Sequence, residues 1–166
     1  MSRVGLYFGS FNPAHSGHLA IADYMLKHTP IDELWFVLSP QNPLKDPTDL
    51  WSNEKRFELL KTAIGGRSKM SICTVEWEMP KPSYTIDTLQ KLSDLHENTA
   101  FSIIMGADNL EKIDQWKSFE TILSAYKIFV YPRPNAQKNQ YFSHPNVMVF
   151  DAPLLDISST QIRENQ

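Results

Sequence analysis

His15 and His18 stand three residues apart in the stretch GLYFGSFNPAHSGHL, residues 5–19. On a helix that spacing puts both imidazoles on one face. An apolar run over 4–8 reads as a short buried strand. Gly9, Ser10, Asn12 and Pro13 then form a turn, since these residue types set unusual backbone angles or bond their own backbone. A 3.6-residue apolar rhythm starts just after it, at Leu19, Ile21, Ala22, Met25 and Leu26. Strand, tight turn and helix start with two imidazoles make an anion site. Three readings of the histidines stay open. They are capping or packed residues; or metal ligands, although zinc wants three or four ligands and no nearby Cys or acidic residue completes a set; or N–H donors aimed at phosphate oxygens. The helix end disfavours a charged imidazolium while a polyphosphate favours one, so protonation is open too.

Other chemistries lack their residues. The turn after the first strand is not G-x-G-x-x-G, and no G-x-x-x-x-G-K-[ST] occurs, so neither the dinucleotide fingerprint nor a P-loop is present. No G-x-S-x-G provides a nucleophile elbow, and Cys73 falls in the middle of an expected strand. Covalent catalysis has little support, and non-covalent work on phosphates fits better.

The elements that would position these groups are readable in order. Residues 33–38 (ELWFVL) read as a second strand, after a first helix ending near His28 and Thr29. Residues 40–50 form a Pro-, Asn- and Asp-rich loop. A helix is expected over 53–64, with Phe57, Leu60 and Ile64 on one face and Gly65-Gly66 as its stop. A third strand is expected over 70–75. After Pro80 and Pro82, Ser83 is the expected N-cap of a helix through Ile86, Leu89 and Leu92. A fourth strand is expected over 101–105, a helix over 116–123, a fifth strand over 127–131 and a sixth over 147–150, with a polar loop over 134–145. Ser158-x-x-Gln161 fits a capping box for a last helix. Strands alternating with helices, several of them continuous apolar runs, predict an α/β, single-domain, Rossmann-like doubly wound, mostly parallel sheet with helices on both faces. The informative loops, after strands one, two, four and six, then share the sheet's C-terminal edge.

Composition bounds the rest. The 166 residues, 42% hydrophobic and 21% charged, suit one soluble domain over 1–166. A net charge of −3 argues against a general nucleic-acid binder but allows an anionic small ligand held by local cations. One cysteine, no secretory segment and no long apolar run make the cytoplasm the expected compartment and exclude a membrane partner.

GSFNPAHSGHL resembles the nucleotide-binding turn of the nucleotidylyltransferase superfamily, whose signature is [HT]-x-G-H. It is most similar to the nicotinate/nicotinamide mononucleotide adenylyltransferases, with G-[GS]-[ST]-F-[DN]-P-x-H-x-G-H. The family's later landmarks follow in order. SYTIDTL at 83–89 matches S-Y-T-x-x-T-L, GADN at 106–109 with Trp116 matches G-x-D…W, and ISSTQIR at 157–163 matches I-S-S-T-x-I-R. A short H-x-G-H alone would say little, since class I aminoacyl-tRNA synthetases have a similar one; the resemblance covers nearly the whole chain.

The resemblance implies adenylyl transfer from ATP to nicotinate mononucleotide, giving deamido-NAD and pyrophosphate, a step of NAD biosynthesis. It implies that His15 and His18 hold ATP phosphates, with His18 facing the α-phosphoryl group. Gly9, Ser10 and Phe11 would line the central phosphates, Gly106 and Asp108 the adenosine side. Ser159, Thr160 and Arg163 would take the β- and γ-phosphates, with Arg133 nearby. Lys45 would neutralise the mononucleotide phosphate, Thr85 receive the nicotinate carboxylate and Trp116 stack on the pyridine ring. Without the resemblance, Trp116 reads as core, Ser83 as a simple cap and Lys45 as a solvated lysine. Magnesium (Mg2+) would travel mainly on the ATP phosphates, so no protein metal ligand is named.

Two departures stand out. Asn42-Pro43-Leu44-Lys45 replaces the P-P-H-K of many bacterial members, keeping the lysine and losing the histidine. Relatives also commonly run on beyond I-S-S-T-x-I-R, which leaves open whether a C-terminal helical segment is missing here or supplied differently. Competing readings are pantetheine-phosphate adenylyltransferase, against which residues 83–89 and Trp116 argue, and a catalytically silent nucleotide-binding module. Nicotinate against nicotinamide preference is open, and so is oligomeric state, a homo-oligomer included.

Overall fold

The computed structural model describes residues 1–40 and 50–152. Six strands form one sheet: β1 (Ser2–Gly9), β2 (Glu33–Leu38), β3 (Met70–Cys73), β4 (Thr99–Gly106), β5 (Lys127–Tyr131) and β6 (Val147–Val149). Their order is β3-β2-β1-β4-β5-β6 and every neighbouring pair is parallel. This is the doubly wound order expected from the alternating pattern, with its reversal between β1 and β4.

The reason is visible in β1. Val4 and Leu6 point to one face and Tyr7 to the other, as a two-residue period requires. On the Tyr7 face lie α1 (Ser16–His28) and α2 (Asn53–Ile64), burying Ile21, Met25, Leu60 and Ile64 against Leu34, Phe36, Ile104 and Phe129. On the Leu6 face lie α3 (Thr85–Leu95), α4 (Ala107–Glu111) and α5 (Phe119–Ala125), burying Leu89, Leu92, Leu110 and Ile122 against Ile103, Met105 and Val130. A sheet buried on both faces needs apolar residues at consecutive positions, which is why ELWFVL and KIFVY read as unbroken runs.

Three expectations need correcting. The third strand stops at Cys73, and Val75–Glu78 is a 3₁₀ turn whose Trp77 indole N–H donates to Leu38 O at 3.1 Å. Ser83 does not cap α3. Tyr84 is the capping residue and makes no side-chain cap bond, and the buried Ser83 Oγ has no partner among the described residues. Trp116 is not helical: it follows a 3₁₀ turn (Ile113–Gln115), and α5 begins at Phe119 after Ser118 takes a left-handed φ of 53°. No helix among the described residues is long and apolar enough to cross a membrane. The expected last helix at Ser158 lies outside the described residues.

Candidate active site

The register brings the site loops to one level. Gly9 ends β1 beside Leu38 of β2, and Gly106 ends β4 beside Tyr131 of β5. The loops that leave these four residues open at the C-terminal edge, with the strand-order reversal between them. In open parallel sheets that crevice is where ligands sit.

From Gly9 the chain turns sharply. Phe11 adopts a φ of 45°, a left-handed conformation costly for a residue with a Cβ, and its buried ring returns over Gly9. A Cβ on Gly9 would lie 3.1 Å from that ring, so a side chain there would push Phe11 outward. Phe11 packs edge-on against Tyr7, Phe36 and His18, with centroids 5.0–5.3 Å apart. Burial of one aromatic ring thus holds the turn and one face of His18 together.

His15 is the N-cap of α1. Its Nδ1 accepts a hydrogen bond from Gly17 N–H at 3.0 Å, and His18 Nδ1 accepts one from His15 N–H at 3.1 Å. This is a reciprocal capping box in which imidazoles replace the usual hydroxyl and carboxamide. It also fixes the tautomer. With both Nδ1 atoms serving as acceptors, the ring protons sit on Nε2 and are free to donate outward. The rings lie 3.9 Å apart, tilted by 32°.

Their charge state follows. Burial lowers the His18 pKa to about 3, with the neighbouring His15 and Arg133 acting in the same direction. Burial and Arg133 lower that of His15. A second proton could go only to Nδ1, where a backbone N–H already points, so charging either ring would break a capping bond. Both are neutral N–H donors near neutral pH. The capping reading and the phosphate-donor reading are compatible, because each ring uses one nitrogen for each task.

Around this pair stand Arg133, Gly106 and Asp108. Arg133 Nε lies 3.9 Å from Asp108 Oδ1, and both side chains are about half exposed, so solvent screens that contact. A Cβ on Gly106 would lie 2.5 Å from Asp108 Oδ1 and 2.8 Å from Arg133 Cγ. The missing side chain lets the carboxylate and the guanidinium close over the end of β4. Beneath them Tyr7 and Tyr131 pair through their hydroxyls at 3.4 Å. Burial raises both phenol pKa values, so both stay protonated.

A second cluster lies at the start of α3. Lys117 Nζ reaches Asp87 Oδ2 at 3.2 Å and stands 5.0 Å from the Tyr84 ring centroid. These contacts bring the segment carrying Trp116 beside the start of α3 with Thr85. Trp116 and Thr85 are both partly exposed, and Trp116 packs one side against the core. Of the expected site residues, Gly9, Ser10, Phe11, His15, His18, Gly106, Asp108 and Arg133 surround the β1 turn, and Thr85 and Trp116 form this neighbouring group. Lys45, Ser159, Thr160 and Arg163 lie outside the described residues.

Sequence reasoning missed Arg56 and Glu76. Arg56 is fully buried, and its side chain donates to Ser10 O, Ser39 O, Trp51 O and Asn53 Oδ1 at 2.7–2.9 Å. Glu76, also buried, accepts from Thr88 Oγ1 at 2.8 Å. A signal existed for Arg56: the buried positions of α2 are 56, 60 and 64, so it occupies an apolar slot of the helical rhythm.

Comparison with known proteins bears on the family and the fold. The family described as cytidylyltransferase-like matches residues 6–165. A probable nicotinate-nucleotide adenylyltransferase of Azobacteroides pseudotrichonymphae is 46% identical over 164 residues, covering 98% of this chain and 86% of the relative. One from Cytophaga hutchinsonii is 45% identical over 161 residues, covering 97% and 84%. Plasmodium falciparum nicotinic acid mononucleotide adenylyltransferase, solved in complex with NaAD, superposes with a TM-score of 0.84 at 22% identity, covering 99% of this chain and 83% of that one. At that identity the superposition speaks for the fold, and the two bacterial relatives speak for the descent. The chain belongs to the cytidylyltransferase-like family and, within it, to the nicotinate-nucleotide adenylyltransferases.

Proposed function

We propose that the protein transfers the adenylyl group of ATP to nicotinate mononucleotide, forming deamido-NAD and releasing pyrophosphate. The observation that carries this reading is the histidine capping box at the sheet's switch point. It provides two outward Nε2–H donors, kept neutral, beside the cationic Arg133. Such donors suit the negative charge that grows on phosphate oxygens during displacement.

The mononucleotide phosphate attacks the α-phosphorus of ATP in line, and the bond from that phosphorus to the α–β bridging oxygen breaks, so that oxygen leaves with pyrophosphate. No enzyme nucleophile is needed, and catalysis is positioning plus charge stabilisation. His18 donates to the α-phosphoryl oxygens, and His15 and Arg133 to the oxygens beyond. The backbone of Gly9, Ser10 and Phe11 lines the phosphates, and Asp108 accepts from ribose hydroxyls, reaching past Gly106. Ser159, Thr160 and Arg163 hold the leaving pyrophosphate. On the other side Lys45 faces the mononucleotide phosphate, Trp116 stacks on the cationic pyridine ring, and Thr85 at the start of α3 meets the carboxylate. The buried Ser83 hydroxyl, one residue before the Tyr84 cap, adds a donor that has no partner among the described residues.

No group of three His, Cys, Asp or Glu that could hold an ion occurs among the described residues, and the histidines present N–H bonds rather than lone pairs outward. The residues present therefore fit Mg2+ carried by the ATP phosphates and water, where it would offset phosphate charge.

The test is pyrophosphate release from ATP by the purified protein, with nicotinate mononucleotide, nicotinamide mononucleotide or phosphopantetheine as acceptor. Release that requires the nicotinate mononucleotide supports the reading. Release with phosphopantetheine alone, or with no acceptor tried, overturns it.

A further inference from the structure

We infer that Arg56 and Glu76, joined through Ser39, form a buried positioning spine that sets the spacing between the phosphate turn and the start of α3. This rests on the two-substrate reading above. It assigns a role to two charged residues that contact neither substrate.

Arg56 contributes four of its five N–H donors to identified acceptors. Nη1 alone bridges Ser10 O at 2.8 Å and Ser39 O at 2.7 Å. Ser10 belongs to the turn after β1, and Ser39 follows the last residue of β2. The same two segments are also joined by Ser39 N–H donating to Gly9 O at 2.9 Å. From Ser39 the chain of contacts continues: its side chain lies by the Glu76 carboxylate, and the Trp77 indole N–H of the same turn donates to Leu38 O at 3.1 Å. Glu76, next to Trp77, accepts a hydrogen bond from Thr88 Oγ1 at 2.8 Å. Thr88 lies in the first turn of α3, with its hydroxyl 3.2 Å from Tyr84 O and its N–H bonded to the same carbonyl at 3.1 Å. An unbroken polar path therefore runs from Ser10 to the helix start that carries Thr85.

Two physical points favour a positioning role over simple packing. Burying a guanidinium against carbonyls and an amide, and a carboxylate against two hydroxyls, costs more than burying apolar side chains of the same size. Burial indeed raises the Glu76 pKa, and the Thr88 and Ser39 side chains only partly oppose it. What such groups supply in return is direction. Arg56 fixes three backbone carbonyls and an amide oxygen with one planar fork, and Glu76 fixes the Thr88 hydroxyl with its carboxylate. In-line displacement demands this, since a misplacement of about 1 Å between reacting groups can cost around 100-fold in rate.

The test uses Arg56→Lys, Ser39→Ala and Thr88→Val in the full chain, with steady-state kcat and the separate Kd values for a non-hydrolysable ATP analogue and for nicotinate mononucleotide. Ser39→Ala removes the link to Glu76 while leaving Ser39 O on Arg56, so the test survives if Arg56→Lys fails to fold. In the folded variants we expect kcat to fall by about 10–100-fold, with each substrate's own Kd within about threefold of wild type. The Arg56→Lys/Thr88→Val double variant should be about as slow as the slower single. A merely structural role would reduce the folded fraction and leave kcat per folded molecule unchanged. That result overturns the spine, and so do multiplying single effects or a loss confined to ATP binding. Failure of the two-substrate reading shows separately, as absence of product from the unmodified protein.

Discussion

The β1 turn and the α3–Trp116 region, the two parts of the proposed site, are built differently. At the turn, the groups are held by backbone-level bonds: the histidine capping box, the left-handed Phe11 folded over Gly9, and the Arg56 fork on Ser10. At the other region the groups are half exposed, the helix cap makes no side-chain bond, and the one ion pair is at the surface. Under the proposed function, rigidity falls where charge is stabilised at a fixed point, and openness where the second substrate enters. If this contrast is right, damage at the turn lowers kcat and damage at the second region raises one KM.

The largest effect expected is for His18→Ala, which removes an N–H donor at the reacting phosphate and the acceptor for His15 N–H. The kcat should fall by about 10²–10³, or ~3–4 kcal/mol. A kcat close to wild type would erase the distinction between the two regions. Trp116→Ala should come next, raising the mononucleotide KM by about 5–30-fold, or ~1–2 kcal/mol. The ATP KM should hardly move, and a change confined to ATP would contradict stacking on the pyridine ring.

Stability against pH sharpens the picture of the turn. The folded pKa of His18 is depressed to about 3 from the ordinary value of 6.5. The unfolded chain therefore binds more protons between these values, and stability falls as pH drops through that window. Glu76, with its raised pKa, acts in the opposite direction above 4.5. The measurement is thus a difference: the urea midpoint should fall less steeply from pH 6.5 to 4 in His18→Asn than in the wild type. Equal slopes would mean that the ring is not held neutral. Smallest of all, Lys117→Ala breaks the exposed pair with Asp87 and should change stability by less than about 1 kcal/mol, read from the urea midpoint. A larger loss would show the second region to be more tightly built than its exposure suggests.

Much of this was legible before any coordinates. β2, α2 and β5 run over the residues expected for them, because their apolar periods and stop signals are unmixed. H-x-G-H located the turn, and the strand pattern located the edge where it opens. What stayed hidden depends on tertiary packing. Arg56 sits among Glu54, Lys55 and Glu58, and sequence alone does not mark which of these charges turns inward. Ser83 looks like a cap by residue type, yet the backbone places Tyr84 at the capping position. Trp116 reads as the start of a helix because its neighbours are helix formers, but the left-handed Ser118 moves that start to Phe119.

The histidine capping box also limits how the protein can be engineered. A short polar residue such as aspartate or serine caps a helix better than histidine does, and a designer seeking heat tolerance would put one at position 15. That change would make α1 firmer while deleting a donor, and aspartate would set a negative charge against the substrate's own. Helix endurance and turnover are traded against each other at one side chain. Variants selected for thermal hardiness should therefore leave His15 and His18 alone and gain elsewhere.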